Sequence, residues 1–186
     1  MELTGYRWSE KGITLRPIEK EDWVYFYREY FDSEVRFFFY TEAELPLDRG
    51  SAQERFSAFL ATAEQKGRID LCAEDAEGQV IGSLDLYDLD RRAGTFQIAV
   101  FVCREARGKG DARRMLNLLL RYAFDELRLH KYNARIVEGN VASVRLHESI
   151  GCVPEGRRRD MFFHHGRYWD ELDYGITAEE WRAKNT

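Results

Sequence analysis

Residues 107 to 112 read Arg-Gly-Lys-Gly-Asp-Ala and lie between a strand-like run and a long amphipathic stretch. Glycines on either side of Lys109 allow a tight loop that turns several backbone N–H groups toward an anion. A helix beginning there adds its own free N–H groups and the positive end of its dipole. A pyrophosphate suits such a seat. Two familiar phosphate loops fit poorly. A Walker loop needs Ser or Thr after Gly-Lys, and here Gly110 follows Lys109. A dinucleotide fingerprint needs a third small residue and an acidic residue at the end of a second parallel strand, whereas the preceding strand signals read as antiparallel. A plain strand-to-helix turn is the bland alternative for the hexapeptide.

The elements that must position this loop follow from periodicity. Ile13 to Ile18 reads as a short strand. Trp23, Phe26, Tyr27, Tyr30 and Phe31 fall at helical spacing within 19–31, and Phe37 to Tyr40 follows as an aromatic loop or turn. Ser51 and Glu54 form a capping-box pattern for a helix ending at Gly67. The period then changes to two. Ile69, Leu71 and Ala73 alternate with polar residues, Glu77-Gly78 reads as a hairpin turn, and further alternation runs through Val80 to Leu86 and Phe96 to Val102. Ala112 to Leu129 carries one apolar face, Tyr132 to Val137 is a strand, and Asn140 caps a short helix ending at Gly151. Val153 to Phe163 and Arg167 to Ile176 form a hairpin across His165-Gly166, and 179–183 is a terminal helical turn. The fold class is α+β: a mixed, mostly antiparallel sheet with flanking helices and one parallel crossover in its middle.

The bulk numbers narrow the function. With 186 residues, the chain reads as a single domain over 1–186. It is 44% hydrophobic, enough for a sizeable core, and its formal net charge of −5 argues against non-specific nucleic-acid binding. No apolar run reaches membrane-spanning length, so no membrane partner is expected. Cys72, Cys103 and Cys152 form neither a disulfide framework nor a metal spacing, which fits reduced thiols in a cytoplasm. His164 and His165 lack a third ligand at useful spacing, so no metal is expected.

Arg107-x-x-Gly110-x-Ala112 resembles the acyl-CoA pyrophosphate loop of the GNAT N-acetyltransferases, whose pattern is Gln/Arg-x-x-Gly-x-Gly/Ala. Leu15-Arg16-Pro17 followed by Asp22 is similar to the opening of these chains. Asn140 to Ser143, leading to Ile150-Gly151-Cys152, resembles the family's second cofactor helix. Gly166 to Asp170, with Tyr174-Gly-Ile and Glu180-Trp181, resembles the C-terminal hairpin of the subgroup holding ribosomal-protein N-terminal and spermidine acetyltransferases. The resemblance spans nearly the whole chain. It implies a GNAT-type sheet with a central V-shaped splay, and acetyl transfer from acetyl-CoA, as cosubstrate, to an amine. Under it, Arg107 and the amides of Gly108, Lys109, Gly110 and Ala112 surround the pyrophosphate, and the strand around Phe101 and Val102 pairs with the pantetheine arm. A backbone N–H near Phe101 or Val102 receives the thioester oxygen. A bulge in that strand opens the V, Asn140 holds the pantetheine amide, and Ser143 stands beside it on the same helix.

The chain departs from the family where proton transfer is at stake. Gln97 occupies the position of a frequent glutamate, and an amide is no general base. His147 occupies the position of a frequent tyrosine general acid; it would protonate the departing thiolate or merely fill tyrosine space. Asp85, opposite the apolar set of its strand, and Glu138, at a strand end, are the candidate bases. Asp111 places a negative charge beside the pyrophosphate seat, offset by Arg113 or Arg114. The acceptor site is expected between the first two helices and the C-terminal hairpin, with Phe37 to Tyr40, Glu42 and Glu44 suited to a cationic amine. The expected function is N-acetylation of a primary amine of a small molecule, such as a polyamine or amino-sugar. A protein N-terminal acetyltransferase and a catalytically weak acyl-CoA-binding module are the alternatives. The family resemblance adds a possible homodimer.

Overall fold

Eight strands build one sheet in the computed structural model, which describes residues 8–40, 45–62 and 67–185. They are β1 (Ser9–Glu10), β2 (Ile13–Pro17), β3 (Ile69–Glu74), β4 (Val80–Asp90), β5 (Thr95–Val102), β6 (Lys131–Val137), β7 (Val153–His164) and β8 (Arg167–Thr177). Across the sheet the order is β1-β2-β3-β4-β5-β6-β8-β7. The β5–β6 pair is parallel, joined by the expected crossover, and the other pairs are antiparallel.

The crossover carries α4 (Asp111–Arg121), which continues into a wider helical turn over Tyr122–Glu126. Met115, Leu116, Leu119, Leu120 and Phe124 are buried against Leu84, Leu86, Phe96 and Ile98 of the central strands. Each such side chain removed from water contributes about 1.5–3 kcal/mol, so this face is the main hydrophobic core. Strand alternation sends Ser83, Asp85, Tyr87, Gln97, Ala99 and Phe101 to the opposite face. That face is covered by α1 (Trp23–Glu29) and α3 (Arg49–Ala61), with Phe26 stacked on Phe56 at 5.1 Å and near Phe101 at 6.1 Å. The chemistry-bearing residues therefore sit on the face away from α4.

β5 and β6 pair only at Thr95↔Lys131, Phe96↔Tyr132 and Gln97↔Asn133. Beyond Gln97, β5 stays with β4 as far as Gly82↔Val102, while β6 stays with β8 as far as Val137↔Glu171. The two strands follow different neighbours and part into a V. The bulge expected in β5 is not there: its register with β4 is unbroken from Gln97 to Val102. The irregularity falls between Tyr87 and Asp90 of β4, where Asp88 has φ 48°.

Other local expectations change too. The aromatic stretch is not a loop. Asp32 caps α2 (Ser33–Val35) by accepting from the Val35 N–H, and a wider helical turn over Arg36–Tyr40 follows. The cap of α3 is Asp48, which accepts from Gly50 and Ser51, rather than the Ser51–Glu54 box. Downstream, α5 (Val141–Ile150) begins at the expected Asn140 cap, and α6 (Ala178–Asn185) closes the chain.

Candidate active site

The glycine loop has the backbone that its sequence demands. Gly108 and Gly110 have φ of 79° and 81°, a region that side-chain-bearing residues rarely adopt. A Cβ built on either glycine meets no atom within 4 Å, so the space beside them is open. Gly110 is the N-cap of α4, and the helix's free N–H groups face the same cleft. Asp111 lines this cleft and pairs with Arg114 at 2.9 Å, which offsets its charge as expected. Two loop side chains behave differently from expectation. Arg107 lines the cleft, but its guanidinium is tied to Glu29 (3.1 Å) and Asp32 (3.4 Å) and its Nε donates to the Val102 carbonyl at 3.0 Å, joining the loop to α1, the α2 cap and β5. Lys109 is exposed and does not line the cleft; its carbonyl accepts from Arg114.

The cleft continues along β5, with a volume of about 870 Å³. Its polarity is set by strand phase. The Cys103 N–H donates to the Ile81 carbonyl at 2.9 Å, and in an antiparallel ladder alternate residues face the partner strand. Phe101 and Ala99 therefore spend their backbone groups on β4, while Val100 and the Val102 N–H face the V; the Val102 carbonyl accepts from Arg107 Nε. The N–H groups of Val100 and Val102 are thus the ones free to meet an oxygen in the V, whereas the Phe101 N–H is used on β4. The Phe101 side chain instead packs against Phe26 and Phe39.

α5 forms the other wall. Asn140 Oδ1 accepts from the Ser143 N–H at 3.0 Å, which leaves its amide NH₂ to donate into the cleft. His147 also lines the cleft, but it is buried and both ring nitrogens are engaged. Nδ1 lies 2.7 Å from the Ser143 carbonyl, which can only accept, so Nδ1 carries the proton. Nε2 then accepts from the Tyr132 hydroxyl at 2.8 Å. Burial holds the imidazole below its ordinary pKa, so it is neutral at pH 7. With both nitrogens engaged and the ring neutral, the geometry favours the space-filling reading of His147 over the imidazolium acid. Its partner is Tyr132 of β6, whose place in the sequence pattern marks only a strand.

A second cavity of about 710 Å³ adjoins the cleft on the α1–α3 side, and Phe39, Tyr87 and Ala99 line both. Asp85 lies in its wall, directly across the strands from Ala99. Asp85 Oδ1 is sealed from water and has no hydrogen-bond partner among the described residues. Burial first, and the nearby Asp70 second, push this carboxyl up to about 7, against the opposing pull of Arg68. Such a group exchanges a proton near neutrality. Gln97 is buried and donates to Asp88 at 2.7 Å.

Glu138 is a correction. It lines neither cavity and forms an ion pair with Arg157 at 2.8 Å, because its strand end turns toward the hairpin. The hairpin reaches the cofactor cleft through Phe162 and Glu171, and does not line the aromatic cavity. Phe37 stacks on His164 at 3.9 Å and packs near Trp169, so it anchors the hairpin rather than lining a site. Phe38 and Phe39 do line the cleft; Glu42 and Glu44 lie outside the described residues. No cluster of potential metal ligands occurs among the described residues.

Residues 13–153 match the family model described as Acetyltransferase (GNAT) domain. The chain is 32% identical over 178 residues to the SPbeta prophage-derived uncharacterized N-acetyltransferase YokL of Bacillus subtilis, covering 96% of this chain and 97% of that one. It is 38% identical over 99 residues to the spermidine N(1)-acetyltransferase of Vibrio cholerae, covering 52% and 56%. Among solved structures, the Vibrio cholerae spermidine N-acetyltransferase in complex with CoA and spermine superposes with a TM-score of 0.82 at 25% identity, over 93% of this chain and 99% of that one.

Proposed function

The chain belongs to the GNAT acetyltransferase family and is an acetyl-CoA-dependent N-acetyltransferase, and from that premise we propose how its residues divide the work. The acceptor is the primary amine of a small molecule, seated in the aromatic cavity with its nitrogen at Asp85. The glycine loop and the α4 N-terminus hold the pyrophosphate, with the amides of Gly108, Gly110 and Ala112 as donors. The Asn140 amide donates to the pantetheine arm, with Ser143 beside it. The Asp85 carboxylate takes the proton from the amine. The freed nitrogen attacks the thioester carbon across Ala99, where the two cavities meet. A cleft-facing N–H of Val100 or Val102 stabilises the oxygen as it gains charge. Collapse of the adduct breaks the C–S bond, and the proton that the nitrogen sheds as the amide forms passes through water in the open cleft to the departing thiolate, since both nitrogens of His147 are bonded.

The observation that carries this reading is the unpartnered Asp85 carboxyl in the wall of the α1–α3 cavity, across the strands from Ala99, which lines both cavities. It also answers the weak-binding alternative, because a base is present although Gln97 is not one. A protein N-terminus would need an open groove, and the Asp85 cavity is instead walled by α1 and α3. Release of CoA thiol from acetyl-CoA in the presence of primary amines tests the reading: amine-dependent release is expected, and its absence would overturn it.

We place the enzyme in the cytoplasm. Support comes from Cys72, Cys103 and Cys152, which are buried and free, with burial pushing each thiol up to about 12. No helix among the described residues is long and apolar enough to cross a membrane. A homodimer is proposed from the exposed Phe163 and Tyr168 on the β7–β8 hairpin, and sedimentation would test it.

A further inference from the structure

We propose that the acceptor is an amine with one charge and an apolar body, an arylalkyl or alkyl monoamine, rather than a polyamine. This inference rests on the assignment of the Asp85 cavity as the acceptor site and specifies what that cavity takes.

Three observations carry it. First, the walls are aromatic. Trp23, Phe26, Tyr27 and Tyr30 of the α1 segment face Phe56 and Phe59 of α3. Rings of this kind bury a hydrocarbon body well. Secondly, several of these rings already carry a cation. The Arg68 guanidinium lies 3.7 Å from the centroid of Phe59, Arg36 lies 3.6 Å from Tyr30, and Arg49 lies 5.1 Å from Trp23. An aromatic face attracts a cation through its quadrupole, but a ring beside a fixed guanidinium offers a second ammonium repulsion as well. Arg55 adds a further positive charge to the lining.

Thirdly, anionic partners for extra ammonium groups are few. Among the described lining residues the carboxylates are Asp85 and Asp88, and Asp88 accepts from the Gln97 amide at 2.7 Å. Asp70, close by, is bidentately paired with Arg68 at 2.8 and 3.0 Å. Asp85 is the lining carboxyl without a hydrogen-bond partner among the described residues, whereas Asp88 is exposed to solvent and already accepts one N–H. One ammonium group therefore finds one partner in the cavity wall. A second or third ammonium along a polyamine must enter a cavity walled by aromatics and arginines, and burying a charge without a partner is costly.

The test is a comparison of kcat/KM for 2-phenylethylamine, hexylamine, putrescine and spermidine on the full chain, read by CoA release. The monoamines should lead by at least about tenfold, the scale of discrimination that a pocket of matched polarity gives. Arg55→Glu, which turns a lining cation into an anion, should shift the ratio severalfold toward spermidine. Spermidine equal to or better than both monoamines would overturn this inference while leaving amine acetylation intact. An unchanged ratio in a folded Arg55→Glu protein would also count against it. No CoA release with any of the four amines would overturn the acceptor-site assignment itself.

Discussion

The two cavities flanking β5 are built from different material. The cofactor cleft is largely a main-chain site, made by loop amides, the α4 N-terminus and the unpaired edge of β5. The acceptor cavity is a side-chain site, made by rings from α1 and α3 closing over the Asp85 carboxyl on β4. Backbone recognition depends on φ and strand phase, and so tolerates many side chains around it. Side-chain recognition depends on which residues distant segments bring together. Substitutions should therefore act oppositely in the two regions. In the cleft, adding a side chain should do the damage; in the cavity, removing a functional group should.

The sharpest test of the cleft is Gly110→Glu. The new side chain would stand in the open space beside the helix start, and its φ of 81° adds strain of about 1–2 kcal/mol. Acetyl-CoA binding by calorimetry should fall below detection while the circular dichroism spectrum stays native. Retained affinity would remove the loop from the site.

In the cavity, the carboxyl that serves chemistry should weaken the fold. Asp85 titrates near 7 when folded and near the ordinary carboxylate value of about 4 when unfolded. The folded state binds that proton more tightly, so stability falls as pH rises from about 4 through 7. Asp85→Asn removes this loss. Its thermal stability should exceed the wild type's by an amount on the order of a few kcal/mol at pH 8, and by clearly less at pH 5. Equal effects at both pH values would mean that the carboxyl is not held in its raised state.

His147 should behave as part of the cleft wall. His147→Phe should leave the pH dependence of turnover unchanged. It should cost about 1 kcal/mol of stability, because the Tyr132 hydroxyl keeps only the Ile98 carbonyl, 3.3 Å away. Loss of the alkaline limb in this variant would restore His147 as an acid. The smallest effect belongs to Asp111→Asn. With Arg114 released toward the ligand, acetyl-CoA should bind tighter by roughly 0.5–1 kcal/mol, shrinking as salt rises.

The same contrast explains what was legible in the sequence. Main-chain features leave local marks. Gly108, Gly110, the Asn140 cap and the alternation of β4 and β5 all predict their elements, and the glycine loop lies where its pattern implies. Phase was harder. That Val100 rather than Phe101 faces the V depends on the β4 register, although the alternation from Val102 contains the signal. The Tyr132–His147 bond was hidden because it joins two consecutive elements, β6 and α5, and the periodicity within neither one marks it. Asp85 could be named from its face but not ranked above Glu138. What distinguishes them is burial under α1 and α3 for one and an ion pair with Arg157 for the other, both set by long-range packing.

The central claim is that Asp85 accepts the amine's proton, and its most direct test is the pH dependence of kcat, at saturating amine, in the wild type and Asp85→Asn. The wild-type rate should fall on the acid side with a midpoint near 7, as the carboxylate is protonated. The asparagine variant should lose that limb and run about 10²–10⁴-fold slower, with acetyl-CoA affinity within a few-fold of wild type. An asparagine variant that keeps the same acid limb, or turns over at the wild-type rate, would contradict the account.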